Sequence, residues 1–370
     1  MFLPSFKKRK ICNLDSNTNS PIDIITDKDI GNFKEDFMTG QNRCMIIHKP
    51  FELQINEKKY INGCKCGSGS FSRVYIMSSK EEPEDISKSL VIKIFKSGMG
   101  YKKAAVKEIN SLRALKDSPF IVDIVVYFKI TDNHIAIVTP FYNFNLLKYI
   151  ETYLQHTIIS DDNFMKVFVS LLNATKCMIE NGISSTDMKP ENIFLNVNMD
   201  GTIEKVVLGD FSTPLNLKTQ DKESFNYHVT TIFYRAPDIM FQLDIPNLKY
   251  MDLWSLGCVL YELYYEEPLF KCNTNDNNLD KSNENLFLIQ VPLLGLPPYS
   301  YFEKYDIDFC DKYNYINSEE YKRFKEPNQD LIKRFSKMPY GMELIVKFLN
   351  WDPNERPTPE FSLEYIKERL

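Results

Sequence analysis

The sequence predicts an α+β chain in two parts, a smaller β-rich part with one main helix and a larger, mostly helical part. Three observations carry this expectation. The 370 residues exceed the ~100–200 that one domain ordinarily uses. Strand-like runs crowd residues 60–139 with a single helical run among them. After Pro140 the apolar spacing becomes that of helices.

Residues 1–50 mix Asn, Asp, Ser and Lys without sustained periodicity, so a flexible extension is expected there, with order beginning near Phe51. Tyr60–Cys66 reads as a strand leading into a glycine-rich turn, followed by the strand Arg73–Met77 and a polar excursion through Glu81, Glu82, Pro83 and Glu84. Leu90–Phe95 is a short apolar strand. Apolar positions at 105, 106, 109, 112 and 115 have helical spacing over 102–115, and the strands Ile124–Ile130 and His134–Thr139 follow. Leu146–Gln155 and Asn163–Asn181 read as amphipathic helices, with Gly182 placed as a C-terminal cap. A small β region (Ile193–Asn196, Val206–Leu208) interrupts an otherwise helical remainder, and the Asn-rich stretch Asn273–Asn285 reads as a surface loop.

Composition narrows the class. A 43% hydrophobic content with 26 Phe and 21 Tyr supports a sizeable core and argues against disorder. A net charge of -5 gives no whole-chain reason to expect a nucleic acid or membrane partner. The eight cysteines match neither a zinc spacing nor a secreted disulfide framework, so reduced thiols are expected. No signal-peptide run and no membrane-length apolar run is present, which makes a soluble intracellular protein the expectation. The basic run Lys7-Lys8-Arg9-Lys10 reads either as a nuclear-import address or as a solvated charge cluster, so nucleus and cytoplasm both stand.

Several segments carry chemistry. Gly67-Ser68-Gly69-Ser70-Phe71-Ser72 lies between two strands, where glycines let the backbone approach phosphate oxygens; a plain hairpin turn is the alternative. Lys93 sits inside an apolar strand, where burial is costly unless an anion meets it; a solvent-facing edge lysine is the alternative. Glu108, between apolar helix positions 105 and 109, is placed to pair with it, against the default of an exposed Glu. Asp187-Met188-Lys189-Pro190-Glu191-Asn192 is more specific. Asp can accept a proton from an attacking hydroxyl, Lys can neutralise a transferring phosphate and Asn can hold a metal. Asp210-Phe211-Ser212 puts a carboxylate at a strand end, suited to Mg²⁺.

Together with Tyr234-Arg235-Ala236-Pro237-Asp238, Asp252-Leu253-Trp254-Ser255-Leu256-Gly257 and Asp352-Pro353-Asn354-Glu355-Arg356-Pro357, these segments resemble the eukaryotic protein kinase signature set in order and spacing, over roughly residues 60–370. The resemblance implies the bilobal protein kinase fold, with ATP between an N-lobe of about 51–139 and a C-lobe of 146–370, joined by a hinge at 140–145. It implies ATP and Mg²⁺ as cofactors. Cys66, Gly67, Ser68 and Gly69 would cover the phosphates, and Lys93, held by Glu108, would grip them. Val74, Val91 and Phe194 would sandwich the adenine, with Thr139 as gatekeeper and Phe141 in the hinge. Asp187 would be the base, Lys189 would steady the γ-phosphate, Asn192 and Asp210 would bind metal, and Asp238 with Arg356 would form a buried ion pair. Lys189 and Thr231 fit a serine/threonine kinase. Thr231–Pro237, Asp252–Cys258 and Leu286–Pro297 resemble the cyclin-dependent and MAP kinase branch, which makes proline-directed activity an expectation.

The departures matter equally. Ser185-Thr186 replaces the family's His-Arg before the base, and Thr cannot clamp a phosphate as Arg does. Activity is therefore expected not to depend strongly on phosphorylation of Thr219, Ser224, Tyr227 or Thr230. Ser185 also removes an imidazole that packs on the metal-motif Phe, so Phe211 is expected to be held less firmly unless an apolar side chain fills the space. Ser212 stands where Gly is usual, and Ser72 replaces the third glycine of the phosphate loop. Ala104–Asn110 lacks the cyclin-dependent-kinase helix motif, so a monomer acting on protein substrates, with no cyclin, is expected. The combination is similar to the divergent fungal single-subunit kinases that activate cyclin-dependent kinases. The competing reading is a pseudokinase scaffold that binds ATP or partners without turnover. Against it, Lys93, Glu108, Asp187, Lys189, Asn192 and Asp210 are all present.

Overall fold

The computed structural model of the chain describes residues 10–11, 37–39, 43, 45–47, 51–55, 57–131, 133–218, 230–272, 279–307, 327–338 and 342–369. They belong to two units that divide between Tyr142 and Asn143. Lys7, Lys8, Arg9, Thr219, Ser224 and Tyr227 lie outside the described residues.

In chain order the first unit contains β1 (Lys10–Ile11), β2 (Phe37–Thr39), β3 (Met45–Ile47), β4 (Glu52–Ile55), β5 (Lys58–Ser68), β6 (Ser72–Ser79), β7 (Leu90–Phe95), helix α1 (Met99–Ala114), β8 (Val126–Thr131) and β9 (His134–Pro140). The main sheet has seven strands in the order β1-β4-β5-β6-β7-β9-β8, antiparallel except for the β1–β4 pair. The short strands β1 to β3 precede Phe51, and Met45 packs in the core of this unit.

The register of this sheet decides which side chains share a face. Val74 pairs with Lys93, Lys93 with Ile137, and Val91 with Thr139. All five therefore stand on one face. That face carries α1, whose Ala104, Ala105 and Ile109 pack with Phe95, Ile135 and Ile137. The other face buries Met77, Leu90, Ile92, Ile94, Ala136 and Val138 against Phe51, Leu53 and Ile55. With both faces covered, β7 must be apolar on both sides, and Lys93 is the one cation in it.

The second unit contains β10 (Phe144–Asn145), α2 (Leu146–Tyr149), α3 (Asp161–Asn181), β11 (Ile183–Ser184), β12 (Ile193–Val197), β13 (Ile203–Leu208), β14 (Leu215–Asn216), α4 (Pro237–Met240), α5 (Met251–Tyr265), α6 (Leu279–Leu294), α7 (Tyr299–Lys304), α8 (Gln329–Phe335), α9 (Met342–Phe348) and α10 (Pro359–Lys367). Helix α3 starts at Ser160, whose side chain accepts from the Asn163 N–H, with Asp161 and Asp162 favourable beside the helix N-terminus. It stops at Gly182, whose φ of 69° is the left-handed cap conformation that glycine adopts without strain. Its apolar stripe, including Phe164, Phe168, Leu171 and Met178, is buried in the helical core. The sheet β10-β12-β13 and the two-stranded pair β11–β14 form the small β region.

Two expectations are corrected here. Leu146–Gln155 is not one α-helix: α2 ends at Tyr149 and a wider π turn covers Ile150–Leu154 before Gln155 turns left-handed. Asn273–Asn285 is not a loop throughout, because α6 begins at Leu279; residues 273–278 lie outside the described set. Asn283 is buried there, where its amide oxygen accepts from Arg235, a partner that local sequence cannot reveal.

Candidate active site

In the first unit Lys93 Nζ donates to Glu108 Oε1 at 2.9 Å and Oε2 at 2.8 Å. Sheet register and helix α1 deliver this contact: Lys93 points to the face on which α1 lies, and Glu108 is on the packed side of α1, 3% exposed. A half-buried lysine on an apolar strand is thus matched by a buried carboxylate, and the exposed-residue alternatives for both fall away. Val74, Val91 and Thr139 are half-buried on the same face. Phe141 is half-buried, its N–H donating to the Ser89 carbonyl at 3.3 Å, and Cys66 and Ser68 are exposed at the end of β5.

Gly69 gives a sharper reading of the β5–β6 turn. Its N–H donates to the Ser72 carbonyl at 3.0 Å, and a Cβ added to it would meet no protein atom within 4 Å. The fold itself does not need glycine at 69; something approaching from outside would. Gly69→Ala is therefore expected to leave Tm unchanged or slightly raised. The KM for ATP should rise roughly fivefold, about 1 kcal/mol of binding. Steady-state kinetics beside a thermal melt checks this, and an unchanged KM would show that the turn is only a hairpin.

The second unit holds the residues of the 187–192 loop as a closed network. Asp187 Oδ1 accepts from the Thr231 N–H at 3.1 Å and from Thr231 Oγ1 at 2.6 Å. Lys189 Nζ lies 2.7 Å from Asp187 Oδ2 and donates to Thr231 Oγ1 at 2.9 Å. Asn192 Nδ2 donates to the Asp187 carbonyl at 2.9 Å and approaches its Oδ2 at 3.3 Å. Asp187 is thus aimed by three neighbours while its side chain stays 18% exposed, as a group that must meet a substrate hydroxyl requires.

The chemistry of the donor set tests whether a magnesium ion fits. Asn192 is buried with Nδ2 committed to Asp187, which presents its Oδ1 as an acceptor. The Gly209 N–H donates to the Asn192 carbonyl at 2.9 Å, and Ile193 pairs with Leu208, so Asp210 follows directly beside Asn192. Asp210 takes φ 57°, which turns the chain at that point. One carboxylate and one amide oxygen suit Mg²⁺, which takes few protein ligands alongside phosphate oxygens, and no cluster of three or more His, Cys, Asp or Glu forms among the described residues. Phe211 is fully buried although Ser185 supplies no imidazole to pack on it. Ser212 is buried and not in the left-handed region, so its Cβ fits without strain. Phe194 is half-buried on β12.

Behind these residues stand supports that sequence reading largely missed. Asp252, buried on α5, accepts from the Ser185 N–H at 3.1 Å and from its Oγ at 3.4 Å; burial pushes the Asp252 carboxyl up, against hydrogen bonds from Ser184 to Thr186. Thr186 Oγ1 donates to the Thr213 carbonyl at 2.7 Å. Asp238 and Arg356 form the expected bidentate pair at 2.6 and 2.7 Å, with both side chains fully buried. Arg235 is buried with neutral partners: Nε donates to Thr230 Oγ1, Nη2 to the Thr230 carbonyl and Nη1 to Asn283 Oδ1. Burial pulls its guanidinium down to about 10.

Glu262 on α5 accepts from Tyr234 OH at 2.5 Å, and burial pushes its carboxyl up to about 7. A raised folded-state value means that stability is complete below about pH 4.5 and is lost as pH climbs to about 7, because ionisation must then occur in a buried site. Gln keeps an acceptor for Tyr234 and does not ionise. The Tm of Glu262→Gln relative to wild type should therefore improve by about 5 °C between pH 5 and pH 8, matching roughly 3 kcal/mol of linkage. Parallel melts at the two pH values check it, and a constant difference would contradict it.

The Lys93–Glu108 pair of the first unit and the Asp187, Lys189, Asn192 and Asp210 groups of the second are residue types that a phosphate-transferring enzyme uses. The chain belongs to the protein kinase family: the protein kinase domain matches residues 60–366. It is a protein serine/threonine kinase, a divergent member of the cyclin-dependent and MAP kinase branch. A probable cell division protein kinase of Encephalitozoon cuniculi is 28% identical over 221 residues, 60% of this chain and 77% of that protein. Cyclin-dependent kinase 8 of Drosophila melanogaster is 24% identical over 322 residues, 83% of this chain and 69% of its own length. Mitogen-activated protein kinase 2 of Pneumocystis carinii is 29% identical over 209 residues, with 56% of this chain and 54% of that protein matched. Among solved structures, a chain of the CAK complex from Chaetomium thermophilum bound to ATP-γ-S has a TM-score of 0.67 at 23% identity, covering 84% of this chain and 91% of that one. That likeness speaks to the fold. No helix among the described residues is long and apolar enough to cross a membrane.

Proposed function

We propose that the chain transfers the γ-phosphate of Mg·ATP to serine or threonine hydroxyls of protein substrates, with a preference for proline after the acceptor. The closed network of Asp187, Lys189, Asn192 and Thr231 carries this reading. Asp187 orients the acceptor hydroxyl and takes its proton. Lys189 steadies the transferring phosphoryl group, and Lys93, braced by Glu108, holds the nucleotide phosphates. Asn192 and Asp210 hold the magnesium ion, which when bound neutralises charge on the phosphate oxygens.

Arg235 supports the proline preference. Its Nη2 engages the Thr230 carbonyl next to the Thr231 that grips Asp187. A carbonyl already paired within the enzyme has less to offer a substrate N–H, and proline has no N–H to leave unpaired. A degenerate peptide array tests this, and equal phosphorylation with and without proline at the following position removes it. Activation of a cyclin-dependent kinase is a narrower proposal, supported by the resemblance of the combined frame, Ser212 and Thr186 to fungal single-subunit kinases of that kind.

The experiment is phosphate transfer by the purified chain, with Mg·ATP, to generic protein substrates and to a cyclin-dependent kinase whose activation-loop threonine is unphosphorylated. Activity of the chain alone decides whether it needs a cyclin. Thermal stabilisation by Mg·ATP without any transfer would point to a scaffold. Phosphatase treatment is expected to leave activity within about twofold, and reversible abolition would show a phosphate clamp that Thr186 cannot supply. A location in the nucleus or cytoplasm, and the assignment of residues 1–50 as an extension to a kinase domain at 51–370, belong to the same proposal.

A further inference from the structure

We propose that Thr186 is a positioning residue for phosphate transfer: its hydroxyl, through the Thr213 carbonyl, locks the strand that follows Asp210 to the loop that carries Asp187. This rests on the kinase reading above. Strands β11 and β14 pair antiparallel at Ile183–Asn216 and Ser184–Leu215, and the ladder stops there. Continued by two residues, the same register sets Thr186 opposite Thr213. Thr186 cannot extend the ladder with its backbone, which has turned left-handed at φ 63°. Its side chain does so instead, donating to the Thr213 carbonyl at 2.7 Å, with the Thr213 hydroxyl 3.3 Å away.

The position is otherwise unfavourable for this residue type. A β-branched side chain avoids the left-handed region, so surrounding contacts must hold it there. Two contacts do so: the Thr186 N–H donates to Ser184 Oγ at 3.3 Å, and Ser185 is tied to the buried Asp252. Thr186 is 1% exposed, so water cannot take over its hydrogen bond. The base is the next residue in the chain, and Asp210 lies three residues before Thr213. The hydroxyl therefore couples the two carboxylates of the site by a neutral bond made wholly within the chain.

Thr186→Val keeps the branched shape, and the same backbone strain, while removing the hydroxyl; Thr186→Ser keeps the hydroxyl. In the full chain, Thr186→Val is expected to lower kcat about tenfold with the KM for ATP nearly unchanged, a loss specific to the transition state. Thr186→Ser should recover kcat to within about threefold. Hydrogen–deuterium exchange in the Ser212–Leu217 segment should quicken about tenfold in the Val variant and not in the Ser variant. With an active wild type, a change in exchange without the loss of kcat, a loss of kcat without faster exchange, or equal losses in both variants overturns the proposal. If the wild type transfers no phosphate, the kinase reading fails by itself. The exchange measurement then judges the lock alone, and equal rates in all three proteins overturn it.

Discussion

Asp187→Asn is expected to lower phosphate transfer by roughly a hundred- to ten-thousand-fold, while Mg·ATP still raises the Tm of the variant as it does that of the wild type. The network explains the size. Asn retains an oxygen for the Thr231 N–H and hydroxyl, so the loop has no reason to unfold. On the other side an NH₂ would replace Oδ2 and face the Lys189 ammonium at 2.7 Å and the Asn192 amide at 3.3 Å, three donors with no acceptor among them. The variant therefore loses both the proton acceptor and the anion that holds Lys189 in place. Radiolabel transfer beside a thermal-shift titration separates the effects. Transfer within tenfold of the wild type would refute Asp187 as the base, and loss of the Mg·ATP shift would mean that it acts in nucleotide binding.

The second large effect concerns stability. Arg356→Met is expected to cost about 3–5 kcal/mol, because it leaves the fully buried Asp238 carboxylate without its cation. Arg356 Nε also donates to the Asn350 carbonyl and Nη1 to the Tyr250 carbonyl, and the guanidinium lies over Trp254 at 5.4 Å, so several groups lose their partner together. A second substitution separates charge from packing. Adding Asp238→Asn removes the stranded charge and should recover a substantial part of the loss. Denaturant titrations of the two single variants and the double variant test this. A double variant no more stable than Arg356→Met would show that carbonyl capture and stacking, not the ion pair, carry the stability.

Much of the site was legible because its parts are local. Asp187, Lys189 and Asn192 stand within one short loop, and each residue type has few purposes beside the others. Lys93 was conspicuous as a cation in an apolar strand, and the helical spacing around Glu108 set it on the packed side of α1. Sheet register then joined them at 2.8 Å. Ser185 and Thr186 stand out in the sequence as departures, but nearby spacing shows only the arginine they lack.

The sequence by itself determined the fold class, most of the order of strands and helices, and the grouping of Asp187, Lys189 and Asn192 in one loop, because periodicity and short-range spacing encode these. Tertiary structure alone decided what Thr186 does in place of an arginine, where Arg235 finds Asn283, that Phe211 stays buried without a neighbouring imidazole, and that Glu262 titrates near neutrality. The physical reason is the same in each case. These properties depend on desolvation and on partners distant in the chain, and neither is encoded in the spacing of nearby residues.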